Sequence, residues 1–293
     1  MKEIGDHIWQ TVGQENGPHI MIIGGTHGNE RTGVEVVRAL VEQDVGIEAG
    51  VLTLSLGNLK AIEINERGSE PKRDLNRTYK TNLLDIEPSG TYEDKRAREL
   101  APHLKAADYV IDLHATNKPS EPFLCSLFGP GQQKLHRFFS ATKVLSDRRY
   151  VLGGEPVTTD EYTDTYGGAG MCYETGLASD TGRVQEVLGE LSNMFIGMGL
   201  VAGQPMGPGE ISEKEYYDLT LNILLTEDGF TWAPGFGNGS WEPFVAGQTI
   251  GYHGEDPLSV DYEGVVVFPK IAKHLHVGGS VGFLAKHIES DKI

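Results

Sequence analysis

The sequence predicts an α/β domain, with a largely parallel sheet and helices between its strands, followed by a small all-β domain at the carboxyl end. Three observations predict it. Apolar β-rich runs alternate with helix-patterned stretches as far as Leu200, a dense run of breakers follows, and only short strand signals lie beyond it. In chain order the strand candidates of the first part are His19–Ile23, Val51–Leu56, Tyr109–Leu113, Pro122–Phe128 and Met171–Tyr173. Between them Thr32–Val45, Tyr92–Lys105 and Gln132–Thr142 read as helices, and Asp180 or Thr181 is placed to cap a further helix running to Leu200. The breakers Ala-Gly-Gln-Pro-Met-Gly-Pro-Gly then put a boundary between residues 1–203, the α/β domain, and residues 204–293. In the second part Thr220–Leu225, Gly264–Phe268 and Val281–Leu284 are short strands separated by glycine and proline.

Composition excludes several classes of function. With 42 acidic against 25 basic side chains the formal charge is -17, which repels phosphate backbones and argues against a nucleic-acid partner. No apolar run approaches the roughly 20 residues needed to cross a bilayer. The two cysteines, Cys125 and Cys172, form no CxxC pair, and the amino terminus lacks a basic-then-apolar leader, so a reducing cytoplasmic setting is expected. A chain of this size buries enough core to fold without disulfides.

Chemistry concentrates where the predicted strands end. Ile20–Ile23 runs into Gly24-Gly25-Thr26-His27-Gly28-Asn29-Glu30, and Tyr109–Leu113 ends in the same way at His114. A His and a Glu three residues apart can face one way on a turn, and two His with one Glu is a common ligand set for catalytic zinc, leaving a coordination position open. In open α/β sheets sites form outside the carboxyl ends of strands, where both histidines are expected. Asp112, two residues before His114, shares its strand face and could either orient that ligand or serve only in structural hydrogen bonding. Lys72–Tyr79 carries Arg73, Asp74, Asn76 and Arg77, a pattern suited to holding a carboxylate in a guanidinium fork. Glu174 closes the apolar run Met171–Tyr173, and a partly desolvated carboxylate there suits proton abstraction from an attacking water.

Together G-G-T-H-G-N-E, D-L-N-R-T-Y, D-L-H-A-T and Y-E-T-G resemble, in order and spacing, the aspartoacylase and succinylglutamate desuccinylase family, over residues 19–200. The resemblance implies a zinc carboxypeptidase-like catalytic domain, with a mixed sheet flanked by helices, that hydrolyses small N-acyl amino acids. It implies one Zn²⁺ per chain on His27, Glu30 and His114, with Glu174 as general base and then acid, and Asn76 and Arg77 on a substrate carboxylate. It also implies an arginine shortly before D-L-N-R that polarises the scissile carbonyl; Arg67 is the candidate, and Arg73 competes with it. The segments Val266–Lys270 and Gly278–Leu284 are similar to the end of the succinylglutamate desuccinylases. Two departures tell against N-acetylaspartate itself as substrate. Asp164 and Thr165 stand where aspartoacylases carry an arginine before the catalytic Glu, and Tyr252 and Tyr262 are the only candidates for their substrate tyrosine.

Two alternatives stay open at this point: a metallocarboxypeptidase acting on peptides, and a non-catalytic ligand-binding protein on the same scaffold. Cys172 alternates with Glu174 and is expected to be an inert buried thiol. His253, His274 and His276 are expected to be ordinary surface histidines. The acyl group, the amino acid and any homo-oligomerisation are left open by the sequence.

Overall fold

A computed structural model describes residues 1–80, 90–204 and 213–289. Two strands missing from the sequence reading, β1 (Lys2–Gly5) and β2 (Ile8–Val12), form a hairpin that leads into β3 (Glu15–Gly24). Then come α1 (Arg31–Glu42), β4 (Ala49–Leu56), the short α2 (Leu59–Ile64), and α3 (Tyr92–Ala106). They are followed by β5 (Tyr109–Thr116), β6 (Phe123–Cys125), α4 (Pro130–His136), β7 (Lys143–Ser146), α5 (Thr159–Thr165), β8 (Ala169–Leu177) and α6 (Val184–Gly197). The last part supplies β9 (Glu215–Leu224), β10 (Phe230–Trp232), β11 (Glu242–Phe244), β12 (Gly251–His253), β13 (Asp256–Leu258), β14 (Gly264–Val267) and β15 (Ser280–Ile288).

Among the described residues, one sheet of 12 strands runs in the order β1-β2-β4-β3-β5-β8-β6-β7-β9-β15-β14-β11, and β10, β12 and β13 form a second sheet of 3 strands. The sheet is mixed, as expected: β4, β3, β5 and β8 are parallel, whereas β6 runs antiparallel to β8. Its centre is apolar on both faces because helices cover both. Ile20 and Ile22 of β3 pack with Val34, Val37 and Leu40 of α1 on one side, and Met21 and Ile23 pack with Ala97, Leu100 and Leu104 of α3 on the other. On β5, Ile111 and Leu113 join the first of these clusters. The opposite face of β5 instead carries Asp112 and His114, at 0% and 2% exposure, so the sheet stops being hydrophobic core where the site begins.

Several element boundaries differ from expectation. The helix expected from Asp180 or Thr181 starts at Val184 with Arg183 as its unbonded cap, and Thr181 contributes only its carbonyl, which accepts from the Val184 N–H. The helix expected over Gln132–Thr142 begins earlier, with Pro130 in its first turn, and ends at His136. The Pro122–Phe128 strand shortens to Phe123–Cys125, because only these three residues find partners on both β8 and β7. The main sheet is continuous across residues 203–204: β7 pairs in parallel with β9, Lys143 opposite Glu215. Pairing of this kind removes an open edge. Most of the breaker run, residues 205–209, lies outside the described residues. Among the described residues no helix is long and apolar enough to cross a membrane.

Gly24, the last residue of β3, lies against the start of α1 so closely that a Cβ there would fall 2.0 Å from the Gly33 carbonyl oxygen. That contact sets where α1, and with it Glu30, meets the sheet. Gly24→Ala should therefore lower unfolding free energy by about 1–3 kcal/mol, read from the urea midpoint at constant m-value. An unshifted midpoint would mean that α1 can retreat from the sheet.

Candidate functional site

β3 ends at Gly24, and Gly25, at φ +73°, turns the chain outward over the sheet edge. Thr26 donates its hydroxyl to Asp112, and this bond seats the turn that carries His27. Glu30 occupies the N-cap of α1, yet its carboxylate makes no capping bond. It is directed at the two histidines: His27 Nδ1 lies 2.8 Å from Glu30 Oε1, and His114 Nδ1 lies 3.0 Å from Glu30 Oε2 and 3.1 Å from His27 Nδ1. Glu30 Oε2 also accepts from the Ala115 N–H. Burial alone would raise the Glu30 carboxyl, but His27 and His114 outweigh it and hold the group well below the usual carboxylate range.

The other ring nitrogens decide what these three groups can hold. His27 Nε2 is 3.0 Å from Asp74 Oδ1, and His114 Nε2 is 3.0 Å from Asp112 Oδ2. With a proton on each Nε2 donated to its carboxylate, both Nδ1 lone pairs face an ionised Glu30. Carboxylate–histidine pairs of this kind orient ligands at metal sites. Donors about 2.0–2.2 Å from a tetrahedral ion stand roughly 3.3–3.5 Å apart, close to the separations here. His27, Glu30 and His114 are thus able to hold a metal ion, all three of them buried.

Glu174 stands beside this cradle because β5 and β8 are parallel with His114 and Glu174 in register. It is 8% exposed, and its Oε2 has no hydrogen-bond partner. Burial and the neighbouring charge of Glu30 push its pKa up to about 7, against the pull of His114, Arg67 and Lys270. A bound cation would draw it back down.

The loop after β4 delivers the positive charges. Two buried side chains of α3 anchor it. Arg96 donates to the Leu56 and Gly57 carbonyls, while Glu93 accepts from Asn58 Nδ2, Ser69 N and Ser69 Oγ. Further on, Asp74 starts the 3-10 turn Leu75–Arg77 by accepting from the Asn76 N–H. Arg67 donates Nε and Nη2 to Asp74 Oδ2, at 3.1 and 2.8 Å, which leaves Nη1 3.6 Å from Glu30 Oε1. Arg67 therefore borders the cradle, whereas Arg73 is exposed and lines only the adjoining surface hollow that shares Arg67, Arg77 and Lys270 with the site. Asn76 accepts from the Thr159 N–H through Oδ1, and its Nδ2 lies 3.5 Å from His114 Nε2. Arg77 Nη1 donates to the Asn76 carbonyl.

His27, Glu30, Arg67, Asn76, Arg77, His114 and Glu174 line one cavity, and the competitor Arg73 does not. The carboxyl-terminal strands wall it with Leu219, Phe268, Lys270 and Phe283. Lys270 had no local signal in the sequence. Burial and the charges of Arg67 and Arg77 lower its ammonium to about 7. Asp74 was visible inside D-L-N-R, but nothing along the chain showed that it would bridge His27 and Arg67. Tyr252 and Tyr262 do not line the cavity; the Tyr262 hydroxyl pairs with Thr220. His253, His274 and His276 join no metal-ligand cluster among the described residues. Cys125 and Cys172 are free thiols opposite each other on β6 and β8, and burial raises both well above the usual thiol range.

Residues 16–188 match the succinylglutamate desuccinylase/aspartoacylase catalytic domain. A probable aspartoacylase of Nostoc sp. is 41% identical over 104 residues, 33% of this chain and 35% of the relative. An N-acyl-aromatic-L-amino acid amidohydrolase (carboxylate-forming) of Xenopus laevis is 32% identical over 103 residues, 33% of this chain and 34% of the relative. The matched segments thus span about a third of the length of these curated relatives. In fold, the chain is similar to the succinylglutamate desuccinylase of Vibrio parahaemolyticus, with a TM-score of 0.75 at 17% identity over 97% of this chain and 86% of the other. Murine aminoacylase 3 gives 0.67 at 22% identity, over 94% and 97% of the two chains.

Asp112 is the test of the cradle, since it accepts from Thr26 and Thr159 hydroxyls as well as from His114. Asp112→Asn should weaken divalent-cation binding by about 10–100-fold, measured by competition with a chromogenic chelator. Unchanged affinity would assign Asp112 to structural hydrogen bonding alone.

Proposed function

This chain belongs to the succinylglutamate desuccinylase/aspartoacylase family, and on that premise we propose that it is a zinc-dependent amidohydrolase cleaving the linear amide of a small N-acyl amino acid to a carboxylate and a free amino acid. One observation carries the reading: an unpartnered, buried Glu174 shares a cavity with the His27–Glu30–His114 cradle. Zinc held there by His27, Glu30 and His114 supplies Lewis acidity toward water and toward the acyl carbonyl.

The chain's own groups account for the rest of the reaction. Glu174 takes a proton from the attacking water and later returns it to the departing amine nitrogen, so a single carboxylate serves as base and then acid. Its missing partner at Oε2 leaves it free to do so. Arg67, kept in place by two bonds to Asp74, directs its remaining nitrogen toward the point where negative charge develops on the carbonyl oxygen. Arg77 and Lys270 supply positive charge for the substrate carboxylate, and Asn76 supports that side of the cavity. Walling by the carboxyl-terminal strands favours a small substrate over a peptide. The full set of cradle, base and guanidinium favours catalysis over mere ligand binding, and the amidohydrolase names of the relatives point the same way. The free thiols fit a reducing, cytoplasmic setting.

Glu174→Gln keeps the size of the side chain and removes the proton acceptor. Its kcat should fall by at least about a hundredfold while zinc stays bound; near-normal turnover in folded, metal-loaded protein would refute the assigned base. Only ionised Glu174 is active as the base, and its pKa is raised to about 7. Accordingly kcat/KM should decline about tenfold per pH unit below that group's pKa, with the bound cation moving the limb to lower pH, and a flat profile would remove the group from the proton path. Stripping the protein with a chelator should abolish turnover and added Zn²⁺ should restore it. Arg77→Lys should cost more than about tenfold in kcat/KM, since a point charge does not replace the guanidinium fork.

A further inference from the structure

Thr159 is the first residue of α5 and is completely buried, at 0% exposure, with a hydroxyl and a backbone N–H to satisfy. Neither donor is used within its own helix. The N–H, one of those that a helix start leaves free, donates to Asn76 Oδ1 at 2.9 Å, and the hydroxyl donates to Asp112 Oδ2 at 2.7 Å. These acceptors belong to different sides of the site. Asn76 comes from the 3-10 turn on the substrate side, and Asp112 from β5, behind the ligand His114.

Each bond settles an orientation that would otherwise be free. At Asp112 the Thr26 hydroxyl is shared between both carboxylate oxygens, 2.9 Å from each, and so leaves the group able to rock. The Thr159 hydroxyl is committed to Oδ2 alone, the oxygen that meets His114 Nε2 at 3.0 Å. At Asn76, commitment of Oδ1 to Thr159 turns the amide so that Nδ2 lies on the His114 side, 3.5 Å from its Nε2, in the cavity that Asn76 lines. The support itself is firm. Thr158 and Glu161 form a capping box at the start of α5, the Thr163 hydroxyl donates to the Thr159 carbonyl, and the Tyr79 N–H donates to the Val157 carbonyl. α5 also lies so close to β8 that a Cβ on Gly170 would fall 2.3 Å from the Asp160 carbonyl oxygen.

We propose that Thr159 is a positioning residue that holds His114, through Asp112, and Asn76 in one fixed relation, its hydroxyl serving metal affinity and its N–H serving substrate binding. The inference rests on the deacylase reading above and adds a residue to it. A carboxylate behind a ligating histidine sets the orientation of the ring and with it the affinity for the ion. Removing the hydroxyl leaves Asp112 Oδ2 short of a donor at a position with 0% exposure, where the loss is felt in full. Because both bonds leave one residue on a fixed helix start, the metal side and the substrate side of the site keep their register.

Substitutions separate the two bonds because the residue opens a helix. Thr159→Ser keeps both donors, Thr159→Val and Thr159→Ala remove only the hydroxyl, and Thr159→Pro removes the hydroxyl and the N–H. Proline fits the first position of a helix, and Thr158 before it is extended, at φ -100° and ψ 167°, as a residue preceding proline prefers. Affinity for Zn²⁺, measured by chelator competition on the folded protein, should fall by about tenfold or more in Thr159→Val, Thr159→Ala and Thr159→Pro, and by less than about threefold in Thr159→Ser. With zinc saturating, KM for the best substrate of a panel of N-acetyl-L-amino acids should be about fivefold higher in Thr159→Pro than in Thr159→Val, the effect of one lost hydrogen bond. Unchanged affinity in Thr159→Val or Thr159→Ala, or an equal loss in Thr159→Ser, overturns the role of the hydroxyl. Equal KM in Thr159→Val and Thr159→Pro, or a Thr159→Pro protein that does not fold, removes the N–H from substrate positioning. If the unaltered protein hydrolyses no member of the panel, the deacylase reading fails instead, and the zinc affinities still decide Thr159.

Discussion

Three lone-pair donors brought within about hydrogen-bond distance of one another repel unless protons are held elsewhere and a positive charge is supplied between them. The structure meets the first requirement with two carboxylates. Asp74 accepts a hydrogen bond from His27 Nε2 and Asp112 accepts one from His114 Nε2, so both Nδ1 atoms turn toward Glu30. Asp112 lies inside the sheet at 0% exposure and accepts from Thr26, Thr159 and His114, which ties β3, β5 and α5 to one buried polar centre. A satisfied network of this kind is rigid, and removing one member leaves the others unpaired at low dielectric. The same centre explains why α1 begins without a side-chain cap: the residue at its N-cap is committed to the histidines.

Placing the arginines is a separate problem, solved by α3. The loop after β4 has little regular structure and would have no fixed position on its own, but Glu93 and Arg96, both buried, hold its backbone and side chains from the helix side. Leu75 and Tyr79 then sink into the apolar cluster beneath. Arg67 and Asp74, seven residues apart, close on each other above the cradle, so the guanidinium is held by two bonds with its Nη1 turned toward Glu30 and His27. A Lys in that place would have one attachment point and no fixed plane.

The carboxyl-terminal strands contribute more than a lid. Because β9 pairs with β7, they extend the same sheet, and Phe268, Lys270 and Phe283 reach the cavity from that extension. The result is one cavity lined by the cradle, Glu174, the cations Arg77 and Lys270, and the carboxylates of α5.

The sequence by itself determined the chemistry at the strand ends. His27, Glu30, His114 and Glu174 were legible because each sits in a short motif directly after an apolar run, and strand periodicity places such residues at one sheet edge. The alternation of strands and helices and the strand-rich tail were legible for the same reason: periodicity is a local property. Only the tertiary structure decided the rest. It placed Arg67 rather than Arg73 beside the cradle, gave Asp74 and Asp112 their histidines, brought Lys270 to the cavity, and carried the sheet from β7 into β9. Each of these depends on a contact between segments far apart along the chain or on the path of an irregular loop, and neither leaves a period in the sequence. The acids of α5 stand between the two cases: their presence is plain in the sequence, but only the packing of α5 on β8 shows that they line the cavity.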